Sequence, residues 1–244
     1  MLNHKIAGKG TLIVFLHGFL ESMEMWKNIS NKTIDFKKLL IDLPGHGESP
    51  FNPSSSAPCL SYPAKEILSL IDSLDVDRYH IVGHSLGGYI ALRIKKEDPR
   101  CEKVVLLNSN YWEDNANKKK DRIRVADVVF KSKNLFINQA LPSLFSNPKK
   151  NKPEILNLLK KAKTYSSECI AYYSLAMRNR KSFSINNENY FMIYGEFDKT
   201  ISKEELNKAK LTFRNRLYFL KSGHMSAYEC PVELNKILFE ILVD

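Results

Sequence analysis

A chain of 244 residues with 43% hydrophobic and 26% charged residues is sized for one domain with a full core and room for an insertion. Its longest clean apolar run, Thr11 to Leu16, is far too short to span a bilayer, and Met1-Leu2-Asn3-His4-Lys5 leads into no signal-peptide core, so a cytoplasmic protein with no membrane partner is expected. The net charge of +10 is carried entirely by the stretch from Tyr111 to Asn186, where 16 Lys and Arg face 6 Asp and Glu, which marks that stretch as a separate unit.

In chain order, Thr11-Leu12-Ile13-Val14-Phe15-Leu16 is β-rich without polar alternation after Thr11, as in a parallel strand covered on both faces. His17-Gly18-Phe19 ends it, and a short helical pattern begins at Glu21 and reaches Trp26. Lys38 to Asp42 reads as a second buried strand, closed by Leu43-Pro44-Gly45-His46-Gly47-Glu48-Ser49. Pro50, Pro53, Pro58 and the run Ser54-Ser55-Ser56 make the next stretch a surface loop. Ala64 to Leu74 is an amphipathic helix, Tyr79 to Val82 a third strand, and Tyr89 to Lys96 a helix. Lys103 to Asn108 is again a strand.

From Tyr111 the alternation stops. Four helical patterns succeed one another at 113–131, 133–145, 153–164 and 166–180. Alternation resumes with the strand Tyr190 to Tyr194, a helix over Lys203 to Lys210, the strand Arg216 to Leu220, and a last helix starting at Pro231. Strands alternating with helices predict an α/β fold with a mostly parallel sheet. The expected division is a core of 1–110 and 187–244 with a helical, strongly basic cap of 111–186.

The chemistry concentrates at Gly83-His84-Ser85-Leu86-Gly87-Gly88-Tyr89, between a strand and a helix. Gly-x-Ser-x-Gly at such a corner is a nucleophile elbow: the turn strains the serine, and the glycines leave no Cβ to clash. A serine hydroxyl needs a base and a group that orients the base. Of six histidines, His4 lies in the N-terminal strand region, His17 and His46 sit in upstream turns and His80 lies within a strand. His84 should point away from the neighbouring hydroxyl. His224, in Lys221-Ser222-Gly223-His224-Met225, leaves a strand on the edge that carries the elbow and is the expected base. Gly195-Glu196-Phe197-Asp198, after the strand before it, offers Glu196 and Asp198 as the orienting carboxylate.

With these motifs in this order the chain resembles the α/β-hydrolase-fold family, over 1–110 and 187–244. The resemblance implies the chain order Ser85, Asp198, His224, with Asp198 favoured over Glu196 by the family's strand-Gly-x-x-Asp pattern. It further implies an oxyanion hole from the backbone N–H groups of Phe19 and Leu86, and a structural role for the loop from Asp42 to Ser49. A serine nucleophile sets the chain apart from the haloalkane dehalogenase and epoxide hydrolase relatives, which use aspartate.

The implied activity is hydrolysis of a small-molecule carboxylic ester or thioester through an acyl-enzyme, with the acyl group under the cap. Tyr89, Trp112, Tyr173 and Met225 are expected to contact substrate. Apolar cap residues (Phe130, Leu135, Phe136, Phe145, Tyr172, Met177) divide between helix packing and pocket wall, with packing the larger share. Two relatives of the fold bear on substrate. The menaquinone-pathway synthase, a carbon–oxygen lyase, is similar around His17-Gly18-Phe19-Leu20, but where it has an arginine this chain has Tyr89, leaving Arg122, Arg124, Arg178 and Arg180 as substitutes. The pimeloyl-carrier methyl-ester esterase binds an acidic acyl carrier protein, a partner that the basic cap would attract. A catalytically silent binding protein is the remaining class. No cofactor or metal is expected, the four widely spaced cysteines read as reduced thiols, and no recognition motif supports nucleic-acid binding.

Overall fold

The computed structural model describes residues 1–29, 36–53, 57–185 and 188–242. The Ser54-Ser55-Ser56 run and the expected 186/187 boundary lie outside the described residues. Seven strands form one sheet in the order β1-β3-β2-β4-β5-β6-β7: β1 (His4–Ala7), β2 (Thr11–Leu16), β3 (Phe36–Ile41), β4 (Tyr79–His84), β5 (Cys101–Leu107), β6 (Tyr190–Gly195) and β7 (Leu217–Leu220). All neighbouring pairs are parallel except β1 with β3, where His4 lies opposite Ile41. The parallel strands carry the apolar runs predicted for them, and all but the edge strand β7 are largely buried on both faces. Along β2, Leu12, Val14 and Leu16 enter one core cluster while Ile13 and Phe15 enter the other.

Helices cover both faces. On one side α1 (Ser61–Asp72), α2 (Leu86–Glu97) and α6 (Lys203–Phe213) bury Ile67, Ile90 and Phe213. On the other side α8 (Pro231–Leu242) and a 3-10 turn at Met23–Trp26 bury Leu238 and Trp26. Local chemistry fixes several of these ends: Ser202 and Glu205 form a capping box on α6, and Pro231 opens α8.

Between β5 and β6 run three helices, α3 (Ala116–Ser143), α4 (Lys152–Ala162) and α5 (Ser167–Asn179). The expected break between 131 and 133 is a kink in α3 at Ser132 (φ −148°, ψ 47°), and α3 ends just past Pro142. These helices own a third core cluster, with Val129, Ile137, Leu141, Leu158 and Ile170, and it also takes Leu20 and Met225 from the turns beside the sheet. A short helix not anticipated from sequence, α7 (Ser226–Glu229), follows the β7 loop. The four cysteines are free thiols, and no helix among the described residues is long and apolar enough to cross a membrane.

Candidate active site

Because β2, β4, β5, β6 and β7 are parallel, the loops after them gather at one edge of the sheet. β4 lies in the middle, between β2 and β5, so the residue that follows it stands at the centre of that edge. That residue is Ser85. Its backbone is forced to φ +48°, ψ −112°, outside the regions an L-residue prefers. The strain is held from several sides. A Cβ on Gly83 would lie 2.5 Å from the Gly87 carbonyl carbon, and one on Gly87 would lie 2.4 Å from the Leu16 carbonyl oxygen. The Ser85 N–H is tied to the Leu107 carbonyl at 3.0 Å.

His224, in the loop after β7, is 2.8 Å from Asp198 through Nδ1 and Oδ2. The carboxylate only accepts, so Nδ1 carries a proton and the neutral ring keeps its lone pair on Nε2. Burial alone would push the Asp198 carboxyl up. His224 beside it, the Thr200 N–H at 2.8 Å and the Asn108 amide at 3.0 Å more than reverse this, bringing it down to about 2. Glu196 is exposed and takes no part, which leaves Asp198 as the only carboxylate of the two in place. The His224 N–H donates to the Leu144 carbonyl at 2.8 Å, anchoring the loop to the end of α3.

Ser85 and His224 line the same cavity, of about 320 Å³. Among the described residues no hydrogen bond joins the two side chains, a looseness common where no substrate is bound. Phe19 also lines this cavity, and Leu86 opens α2, so its N–H is one of the helix's unpaired donors. The Phe19 N–H makes no bond to a protein acceptor among the described residues. His17 does structural work: its Nε2 accepts from the Leu43 N–H at 2.9 Å. The Asp42 carboxylate accepts from the Met23 and Glu48 N–H groups and the Asn3 amide, which pins the loop that follows it.

Of the residues expected to touch substrate, Tyr89 lines the cavity. The structure moves the other three elsewhere. Trp112 faces a separate surface cleft, where its indole N–H donates to Glu205 at 2.9 Å. Tyr173 is fully buried, its hydroxyl satisfied by the Pro44 carbonyl at 3.0 Å, and Met225 is sealed in the core beneath the helical insertion. The wall is built instead from Leu20, Val125, Phe136, Leu141 and Met177. Phe130 and Leu135 are 59% and 58% exposed, whereas Phe145 and Tyr172 pack in the core. Of the four arginines, Arg122 reaches the cavity with its Nε 3.1 Å from Asp114. Arg180 is buried, paired with Asp114 at 2.9 Å and stacked 4.0 Å over the Tyr89 ring. Arg124 is exposed and Arg178 bonds Asn179.

Three partners of the site were not anticipated. Asn108, at φ +45° just past β5, donates to both Asp198 and the Gly223 carbonyl and accepts from Ser226. The strand-ending Asn108-Ser109-Asn110 was a usable signal, since asparagine tolerates a left-handed backbone. Thr200 holds Asp198, and its hydroxyl lies 3.3 Å from His224 Nδ1. Glu21 is buried against His84 at 3.0 Å, a pairing that no local pattern encodes.

A sheet of this order, with a strained serine on its central corner and a His–Asp pair on the neighbouring loops, defines the α/β-hydrolase fold. The family model for that fold matches residues 11–231, and the chain belongs to this family. It is similar to the esterase of Thermogutta terrifontis, with a TM-score of 0.86 and 25% identity, covering 99% of this chain and 92% of that one. The enol-lactonase of Burkholderia xenovorans shares the fold at a TM-score of 0.85 and 18% identity, covering 100% of this chain and 96% of that one. In sequence, 83 residues are 36% identical to 2-succinyl-6-hydroxy-2,4-cyclohexadiene-1-carboxylate synthase of Yersinia pseudotuberculosis, 34% of this chain and 29% of that protein. The curated relatives matched first are covered over only 31% to 40% of their length.

Proposed function

We propose that this protein is a serine hydrolase that cleaves a carboxylic ester or thioester. The observation that carries the reading is that His224, held from behind by the buried Asp198, lines the same cavity as the strained Ser85. In this reading Ser85 Oγ attacks the carbonyl carbon and gives its proton to His224 Nε2. The N–H groups of Phe19 and Leu86 bond the developing oxyanion. The bond to the leaving group breaks as His224 returns the proton to it. Water then adds to the acyl-enzyme, its proton passes to His224, and the acid leaves as Ser85 recovers its proton. The esterase similarity supports the choice of substrate class.

The test is hydrolysis of p-nitrophenyl esters with labelling by a fluorophosphonate probe. Ser85→Ala should lower kcat by about 10³-fold or more and remove the label. A wild-type chain that neither turns over an ester nor takes the label sinks the reading.

A second reading is a carbon–oxygen lyase of the synthase kind working with the same three residues. It is favoured by Lys199 on the cavity wall, a cation suited to a carboxylated substrate, beside Arg122, which is paired with Asp114. It requires feeble ester turnover and activity on the synthase's own substrate. We further propose that 111–186 is a cap on a core of 1–110 and 187–244, and that its basic excess draws an acidic acyl carrier protein. Rates on a carrier-bound ester should then fall steeply with salt while rates on a small ester hold. Equal salt dependence would remove the partner.

A further inference from the structure

Outside the serine, histidine and aspartate, the edge of the sheet holds a second buried carboxylate–histidine pair. Glu21, in the turn after β2, and His84, the residue before Ser85, have side chains 1% and 0% exposed, with Oε2 and Nδ1 3.0 Å apart. The other ring nitrogen of His84, Nε2, is 2.8 Å from the carbonyl oxygen of His224. A carbonyl only accepts, so Nε2 carries a proton. With Glu21 ionised, its carboxylate also only accepts, so Nδ1 carries a proton too and His84 is an imidazolium with both N–H groups spent. Glu21 Oε2 takes a second bond, from the Gly18 N–H at 2.8 Å. Gly18 has to be glycine here, since a Cβ would come within 2.7 Å of His84 Nδ1 and 2.8 Å of Glu21 Oε1.

The charges support each other. Burial pushes the His84 ring down, but the Glu21 carboxylate and its hydrogen bond leave it above the ordinary histidine value. Burial pushes Glu21 up, but His84 and the Gly18 N–H leave it below the ordinary carboxylate value. The other titratable groups near the pair are His17, with Asp42 beyond it, on one side, Asp198 and His224 on another, Tyr165 from the turn between α4 and α5, and Tyr228 from α7.

We infer that the Glu21–His84 pair is a positioning device: it links the Gly18-Phe19 turn, the serine corner and the His224 backbone so that oxyanion donors and base keep one spacing. This rests on the serine-hydrolase reading of Ser85 and His224. The link needs charge. A neutral His84 facing an ionised Glu21 has one proton for two acceptors, so the bridge is whole below the raised His84 pKa and fails as pH climbs through it. Catalysis therefore falls on the alkaline side.

The experiment compares full-length wild type, Glu21→Gln and Glu21→Ala by kcat and KM on a p-nitrophenyl ester across pH, with ¹⁵N NMR of the histidine rings. The atom at Oε2 serves both Gly18 and His84, so glutamine keeps only one of the two: as an oxygen it accepts from Gly18 and faces the lone pair of a neutral Nδ1, as an NH2 it donates to Nδ1 and loses Gly18. Glu21→Gln, which loses one of the two bonds, should lower kcat about tenfold at neutral pH, less than Glu21→Ala, and abolish the alkaline fall. Glu21→Ala should lower kcat about 10²-fold with KM little changed, as expected when reacting groups lose their spacing. The ring spectrum should show both His84 nitrogens protonated in wild type and one in Glu21→Gln.

Wild-type kcat and pH profile in Glu21→Ala, an unchanged alkaline fall in Glu21→Gln, or a singly protonated His84 in wild type at neutral pH would each overturn the inference. Should Glu21→Ala not fold, the glutamine variant and the spectrum decide. A wild type inert to esters and to the probe counts against the serine-hydrolase reading, while the ring resonances still judge the pair.

Discussion

The corner between β4 and α2 and the helical run between β5 and β6 carry the two halves of a functional site in opposite ways. At the corner, seven consecutive residues fix backbone, serine and helix start, because the steric demand is local: Gly83 and Gly87 touch each other and the end of β2. In the helical run, apolar residues with the same periodicity go to solvent, to the core and to the cavity. Phe136 lines the cavity, Leu135 beside it is exposed, and Phe145 is buried. Chemistry is set by short-range constraint and substrate contact by how helices are laid over the sheet.

The sharpest way to test the corner is through its distant partners. Asp198→Asn should lower kcat by about 10⁴-fold by losing the carboxylate that orients His224, while Glu196→Gln leaves turnover within about twofold. Equal effects would mean that the carboxylate is misassigned. Next in size, Gly87→Ala places a Cβ 2.4 Å from the Leu16 carbonyl oxygen. Such backbone strain should cost on the order of 3 kcal/mol in denaturant unfolding. Near-native stability would show that the corner is less constrained than its contacts imply.

The Asp198 carboxyl adds a pH dependence of stability. Its folded value of about 2 lies below the unfolded value of about 3.9. The group therefore stabilises above the unfolded value, and that contribution is lost as pH falls from about 4 to 2. It amounts to roughly 2 to 3 kcal/mol. Thermal melts of wild type and Asp198→Asn should converge across this window, and parallel melts would contradict the shift. The smallest effect separates surfaces within the helical run. Phe136→Ala should raise KM for longer acyl esters about fivefold with little change for acetyl esters, and Leu135→Ala should do neither. If the two variants behaved alike, the division of the run into cavity wall and outer face would be wrong.

Much of this was legible beforehand. The six parallel strands are legible because strands buried between helices read as unbroken apolar runs, whereas the short, mostly exposed antiparallel β1 carries no such run. The switch to helices after Tyr111 was found because the period changed. Even the kink at Ser132 stood near an expected helix boundary. Trp112, Tyr173 and Met225 were misplaced because a side chain's depth depends on which neighbour covers it, and sequence spacing does not carry that. Asn108 and Glu21 take their roles from partners elsewhere in the chain, Asn108 and Asp198 being joined across 90 positions, whereas Thr200 bonds Asp198 locally but meets His224 only in the fold.

The amino-acid order alone determined a parallel α/β chain, a strained serine at a strand–helix corner and the candidates for its partners, since each follows from local sterics or period. Tertiary structure alone decided which apolar side chains wall the cavity, that Asn108 braces Asp198, and that Glu21 pairs with His84. Those outcomes depend on which loops the sheet order brings to one edge and on what is buried there, quantities set by the packing of the whole chain.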